Sequence, residues 1–100
     1  MSKADLDRAL HILVEGRVQG VGYRRFAQKL ADSLQVSGWA RNLLDGRVEI
    51  FAEGLGDKLD AFCEGLKKGP SFARVAEIIA RSVEPTSVLG FEIKKDEEWK

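Results

Sequence analysis

Two apolar patterns of different period, joined by a glycine-rich loop, constrain the fold of this chain most strongly. The run RALHILVEG from Arg8 is mostly apolar and stops at Gly16, which is typical of a strand inside a sheet. Beyond the loop, apolar residues recur at spacings of three and four, which predicts one face of a helix. That face consists of Tyr23, Phe26, Ala27, Leu30, Ala31 and Leu34.

The rest of the chain repeats this alternation of strand and helix patterns. QVSGWARNLL predicts a second strand, Asp45-Gly46 is a two-residue hairpin signal, and RVEIFAE alternates as a third strand. ARVAEIIARSVE predicts a fourth strand, and VLGFEIKK a short fifth strand at an edge. A second helical stripe lies between the third and fourth strands and consists of Leu55, Leu59, Phe62, Cys63 and Leu66.

The predicted order is βαββαβ with one additional strand. This order favours an α+β fold, a ferredoxin-like split-βαβ sandwich. We expect an antiparallel sheet of four to five strands with both helices on one face. The chain of 100 residues fits one domain, residues 1–100, with a core over about residues 8–95 and short charged tails at both ends.

Charge and cysteine content exclude several classes of protein. The 16 basic residues balance 16 acidic ones, so no global field attracts nucleic acid or a membrane surface. With Cys63 as the single cysteine, an internal disulfide and a multi-cysteine metal site are excluded. The start MSKADLDRAL is too polar for a signal peptide, and no apolar run approaches the roughly 20 residues of a membrane span. We expect a cytoplasmic monomer.

The loop before the first helix has the composition of an anion-binding site. Gly16, Gly20 and Gly22 allow the backbone to turn its N–H groups inward, and Arg24 and Arg25 follow in the first helical turn. Cations at a helix start oppose the helix dipole, and the second helix shows the favoured arrangement of early acids and late lysines. An anion of about two charges would relieve this repulsion. Alternatively, the glycines only shape a tight turn and the arginines extend into solvent.

Asn42 is the second polar residue of interest, because asparagine is a poor strand residue and this one precedes the hairpin. It either caps the turn locally or turns its carboxamide toward the glycine loop. In the second case it can hold a water molecule in line with a bound phosphorus, since phosphoryl transfer depends mainly on positioning and cationic stabilisation.

Two sequence blocks resemble the signature of the acylphosphatase family. They are GRVQGVGYR, residues 16–24, and GWARNLLDGRVE, residues 38–49; GPSFARVAEI is similar to a looser stretch of the same family. The resemblance extends from about Arg8 to Ile93. Tyr23 stands where phenylalanine is frequent, and Phe72 where the family often has a smaller residue or proline.

The resemblance implies a function and a set of site residues. Members of the family hydrolyse the carboxyl-phosphate bond of acyl phosphates to carboxylate and inorganic phosphate, without metal or cofactor. Arg24 would bind the phosphate and Asn42 would position the attacking water. Inorganic phosphate is then the product and an inhibitor, and no nucleic acid or membrane takes part. The phosphate-binding loop would consist of Gly16, Arg17, Val18, Gln19, Gly20 and Val21.

Other reactive side chains are expected to serve structure. His11 lies within the first strand, Cys63 lies on a helical apolar stripe, and Glu49 and Glu53 share a strand face that we expect to be solvated. RNA-recognition domains have the same element order, but the zero net charge disfavours that reading. A non-catalytic anion-binding regulatory or interaction domain remains the alternative function.

Overall fold

The computed structural model describes residues 8–97. They contain five strands and two helices in the predicted order: β1 Arg8–Arg17, α1 Tyr23–Leu34, β2 Ser37–Asn42, β3 Val48–Gly54, α2 Gly56–Lys68, β4 Arg74–Val83 and β5 Phe91–Ile93. Within these residues no helix has the length and apolarity that a membrane crossing needs.

The strands form one sheet in the order β4-β1-β3-β2-β5. The first four strands pair antiparallel, as predicted, and β5 adds a short parallel pairing to β2. The direction of β5 follows from the path of residues 84–90, which lead from the end of β4 to the start of β5 at the opposite edge. Because β5 begins opposite Gly38, near the start of β2, it runs in the same direction as β2.

Both helices cover one face of the sheet, and the core lies between these two layers. Small residues on α1, Ala27 and Ala31, are fully buried and let this helix approach the sheet closely. Phe26 is only half-buried, and Leu55 is exposed and precedes α2 as its N-cap, so neither belongs to the buried core cluster. The largest fully buried side chains are Tyr23, Phe62, Ile12, Ile50, Leu66, Val14, Val18 and Val48.

The two glutamates on the other face of β3 are not solvated, contrary to the expectation. Glu53 is 7% exposed and accepts hydrogen bonds from the amides of Ser87 and Val88, which fixes the crossing segment to the sheet. Glu49 is paired with His11 at 2.8 Å and with Arg41 at 2.6 Å. The alternation of β3 correctly predicts on which face of the sheet Glu49 and Glu53 lie. It cannot predict that other segments of the chain supply hydrogen-bond partners for these two carboxylates.

Candidate active site

The glycine loop and Asn42 meet at one end of the sheet. β1 and β2 run in the same direction on either side of β3, so their C-terminal ends lie at the same end of the sheet. β1 leads at Arg17 into the loop of residues 18–22, and β2 ends at Asn42. The sheet topology therefore brings the two predicted halves of the site together, as the second reading of Asn42 requires.

The three glycines of this region serve two different purposes: Gly16 lies within β1, whereas Gly20 and Gly22 lie in the loop. Gly16 has a φ of +129° next to the point where the β1–β4 register shifts, and a Cβ there would lie 2.1 Å from the carbonyl oxygen of Arg74. Gly20 and Gly22 have φ of +73° and +78°, with open space where a Cβ would lie. Gly16 thus permits a close strand contact, whereas Gly20 and Gly22 turn the backbone in the left-handed region.

The start of α1 presents unpaired donors. Its N-cap is Gly22, which offers no side-chain cap, and the first turn holds no acidic residue. Across residues 8–97, no hydrogen-bond acceptor is found for the amides of residues 18–25. A row of free N–H groups at a helix start, with the dipole behind it, is the geometry that binds phosphate in many proteins.

The side chain of Gln19 ties the loop to the hairpin that follows β2. Its Nε2 donates to the carbonyl oxygens of Leu43 at 2.8 Å and Arg47 at 2.9 Å. The same two residues are joined by the Leu43 amide, which donates to the Arg47 carbonyl. Gln19 therefore fixes the loop to the hairpin that begins directly after Asn42, and its Nε2 is already engaged in these two hydrogen bonds.

Arg24 is half-buried and is oriented by the segment that follows β5. Its Nη1 donates to Asp96 Oδ1 at 2.9 Å and to the carbonyl oxygen of Lys94 at 3.3 Å. These two acceptors use both hydrogens of Nη1. The edge of the guanidinium formed by Nε and Nη2 keeps three N–H donors for a ligand, which suits bidentate binding of a phosphoryl group.

Asn42 is 8% exposed, and its Oδ1 has no hydrogen-bond partner within the described part of the chain. Its main chain is fixed, since the Asn42 carbonyl accepts a bond from the Glu97 amide at 2.9 Å. A buried carboxamide oxygen without a partner is costly, by about 1–3 kcal/mol. Such an oxygen is suited to accept a hydrogen bond from a ligand or a water molecule in the cavity.

A cavity of about 240 Å³ joins these groups. Four predicted residues line it, Val18, Gly20, Arg24 and Asn42, whereas the predicted loop residues Gly16, Arg17, Gln19 and Val21 do not. Gly22 was not assigned to the site, although its position just before a predicted helix could have indicated that it lines the cavity. No sequence pattern could have assigned Ile93 to the site, because only the pairing of β5 with β2 brings it to the cavity. The full lining is Val18, Gly20, Gly22, Tyr23, Arg24, Arg25, Asn42 and Ile93.

The nearby Tyr23 hydroxyl is committed elsewhere. It donates to the Leu66 carbonyl at 2.8 Å, and burial raises the pKa of Tyr23. Burial also raises the pKa of the half-buried Cys63, which makes it a poor nucleophile. His11 is bonded to Glu49 on the other face of the sheet and does not line the cavity.

Fold and site together define the class: a ferredoxin-like α+β sandwich with a glycine-containing loop, an arginine and a buried asparagine at one end of the sheet. The family model described as acylphosphatase matches residues 10–93. The chain therefore belongs to the acylphosphatase family, which confirms the resemblance seen in the sequence.

Known relatives agree over most of the chain. An acylphosphatase of Thermus thermophilus is 52% identical over 81 residues, which are 81% of this chain and 92% of the relative. A crystal structure of acylphosphatase from Bacillus subtilis matches with a TM-score of 0.85 at 41% identity, covering 87% of this chain and 98% of that one. An acylphosphatase from Coxiella burnetii has a TM-score of 0.88 at 32% identity, with 94% and 100% covered. The ferredoxin-like fold prediction is thus confirmed.

Proposed function

We propose that this protein hydrolyses acyl phosphates to a carboxylate and inorganic phosphate in the cavity at the start of α1. The observation that carries the proposal is the buried, unpartnered Asn42 Oδ1 in the same cavity as Arg24 and the free loop amides. A site that only bound an anion would need donors alone. An orphaned acceptor opposite those donors is suited to holding a water molecule.

Each group has a separate role in the proposed reaction. The loop amides and the free edge of Arg24 bind the equatorial phosphoryl oxygens and stabilise their charge in the transition state. Asn42 accepts a hydrogen bond from the attacking water and aims its oxygen at phosphorus. A bond forms between that oxygen and phosphorus, and the bond from phosphorus to the acyl oxygen breaks, with its electron pair leaving on the carboxylate.

The proton of the water passes to a phosphoryl oxygen of the substrate in this proposal. What supports it is the composition of the cavity, whose lining among residues 8–97 includes no histidine, aspartate or glutamate. A carboxylate is a good leaving group and needs little protonation. Inorganic phosphate is released and competes with substrate for the same donors. We expect a cytoplasmic monomer that needs no metal or cofactor.

Hydrolysis of benzoyl phosphate in the presence of a chelator tests the proposal. We expect turnover that resists the chelator and is inhibited competitively by inorganic phosphate. If phosphate binds in a calorimetric titration and no turnover is found, the protein is instead a non-catalytic anion-binding domain.

Substitution of the two central residues tests their division of roles. Arg24→Gln should weaken phosphate binding and turnover together. Asn42→Ala should lower kcat by about a hundredfold or more while changing the inhibition constant of phosphate less than about threefold, because it contacts water and not the anion. Loss of phosphate binding in Asn42→Ala would overturn this assignment.

A further inference from the structure

Arg25 is the cation that the proposed phosphate chemistry leaves without a role. It is exposed, lies in the first turn of α1, and lines the same cavity as Arg24. A cation at this position is unfavourable for the helix itself. In α2 of the same chain the first turn holds Asp57, and lysines are placed in the last turn.

Arg24 and Arg25 differ in what they contact. Arg24 is held by Asp96 and the Lys94 carbonyl, whereas Arg25 forms no ion pair or side-chain hydrogen bond with any residue from 8 to 97. Successive residues of an α-helix point about 100° apart, so the two side chains leave the helix in different directions.

The residues that line the cavity indicate which kind of ligand would suit Arg25. Its lining within the described residues includes two cations and no carboxylate. Arg24 and the loop amides match a phosphoryl dianion, which leaves the charge of Arg25 unmatched. Val18 and Ile93 supply apolar wall for a short carbon chain.

We propose that Arg25 is a specificity-determining residue that binds a second anionic group, carried by the acyl part of the substrate. This inference rests on the proposed function. Among short acyl phosphates, Arg25 would then favour those whose acyl chain ends in a carboxylate. Besides the two cations, the sign of a ligand in this cavity is Asn42, which is buried and unpartnered within the described residues and lines the cavity together with Arg25.

The test compares succinyl phosphate with propionyl phosphate, which differ only in the terminal carboxylate. The measured quantity is the ratio of their kcat/KM values in the wild type, in Arg25→Gln and in Lys29→Gln. Lys29 is the matched control, because it is an exposed cation on α1 one turn beyond Arg25 and outside the cavity. We expect the wild type to prefer succinyl phosphate, Arg25→Gln to reduce the ratio about fivefold, and Lys29→Gln to retain it.

Each other outcome overturns the inference in a recognisable way. An equal loss for both substrates in Arg25→Gln would assign Arg25 to the phosphoryl group, and an unchanged ratio would assign it to solvent. An equal fall of the ratio in Lys29→Gln would indicate a general charge effect. If the wild type hydrolyses neither substrate, the proposed function fails and this inference fails with it.

A binding measurement separates recognition from turnover. Calorimetric titration with 5-phosphonopentanoate and with butylphosphonate uses chains of the same length as in succinyl and propionyl phosphate, with and without the terminal carboxylate and without a hydrolysable bond. In the wild type and in Lys29→Gln, the analogue with the carboxylate should bind more tightly than the analogue without it. In Arg25→Gln, the ratio of the two dissociation constants should be about fivefold smaller. Equal tightening in all three proteins would overturn the role of Arg25 whatever the rates show.

Discussion

Gly16 and Gly20 lie four positions apart in the same loop signature, yet they meet different surroundings. At Gly16 the carbonyl of Arg74 occupies the space of a side chain, whereas Gly20 faces open space. The sequence predicts both as glycines of one anion-binding loop, but Gly16 lies in β1. Only the pairing of β1 with β4 brings the Arg74 carbonyl close, and no local pattern reports that pairing.

Alanine substitution should separate the two glycines at the residue scale. Gly16→Ala should lower the free energy of unfolding by about 3 kcal/mol or more, because a Cβ collides with backbone that cannot move easily. Gly20→Ala should cost about 1 kcal/mol, the strain of a left-handed conformation alone. Urea unfolding measures both, and equal losses would contradict the close contact at Gly16.

The segment that follows β5 acts at the scale of a structural element. Residues 94–97 lie beyond the residues 10–93 that the family model matches, yet they contact both central site residues. Asp96 and the Lys94 carbonyl orient Arg24, and the Glu97 amide binds the Asn42 main chain. The signature blocks alone could not predict this support.

Removal of the Asp96 carboxylate should therefore weaken phosphate binding. Asp96→Ala should raise the inhibition constant of inorganic phosphate about three- to fivefold, since an exposed ion pair contributes less than about 1 kcal/mol. Asp96→Asn should have a smaller effect, because its amide oxygen still accepts from Nη1. Glu92→Ala, an exposed acid on β5, is the control. Tighter phosphate binding in Asp96→Ala would show that the carboxylate competes with the ligand.

At the scale of the whole molecule, the residue patterns predict the element order and the sheet well. Periodicity reports which face of each element is buried, so β1 and α1 follow from it. Asp45-Gly46 predicts that a hairpin joins β2 and β3, but the connection consists of residues 43–47 and is longer than the two-residue turn that the sequence predicts. Periodicity does not predict three other features: the parallel direction of β5, the burial of Glu53, and the contact from Asp96 to Arg24. Each depends on segments distant in the chain, and a local pattern holds no information about such partners.

The paired Glu49 should make the stability of the folded protein depend on acid pH. Burial alone would raise the pKa of Glu49, but hydrogen bonds from His11 and Arg41 outweigh it and lower the pKa below its usual value. The folded state thus binds this proton less readily than the unfolded state. The resulting stability is present above the usual carboxyl pKa of about 4.3 and is lost as the pH falls through the lower folded-state value.

Urea unfolding between pH 7 and pH 3 measures this dependence. The wild type should lose more stability over that range than Glu49→Gln, which has no charge to lose at this position. Arg47 lowers the pKa of Asp45 through a hydrogen bond, and this contribution in the same range is common to both proteins. Glu92→Gln, at an exposed position, should behave like the wild type. Parallel curves for the wild type and Glu49→Gln would contradict the prediction.

The groups that line the cavity do not change their charge near neutral pH, and this affects how an enzyme of this kind depends on its surroundings. Main-chain amides, guanidinium groups and a carboxamide keep one charge state throughout the pH range in which cells live. In the proposed reaction the protein positions the substrate and stabilises its charge, and the reactive group is the mixed anhydride of the acyl phosphate itself. In the proposed reaction no group that lines the cavity has to be regenerated between turnovers, so the rate follows the supply of the acyl phosphate.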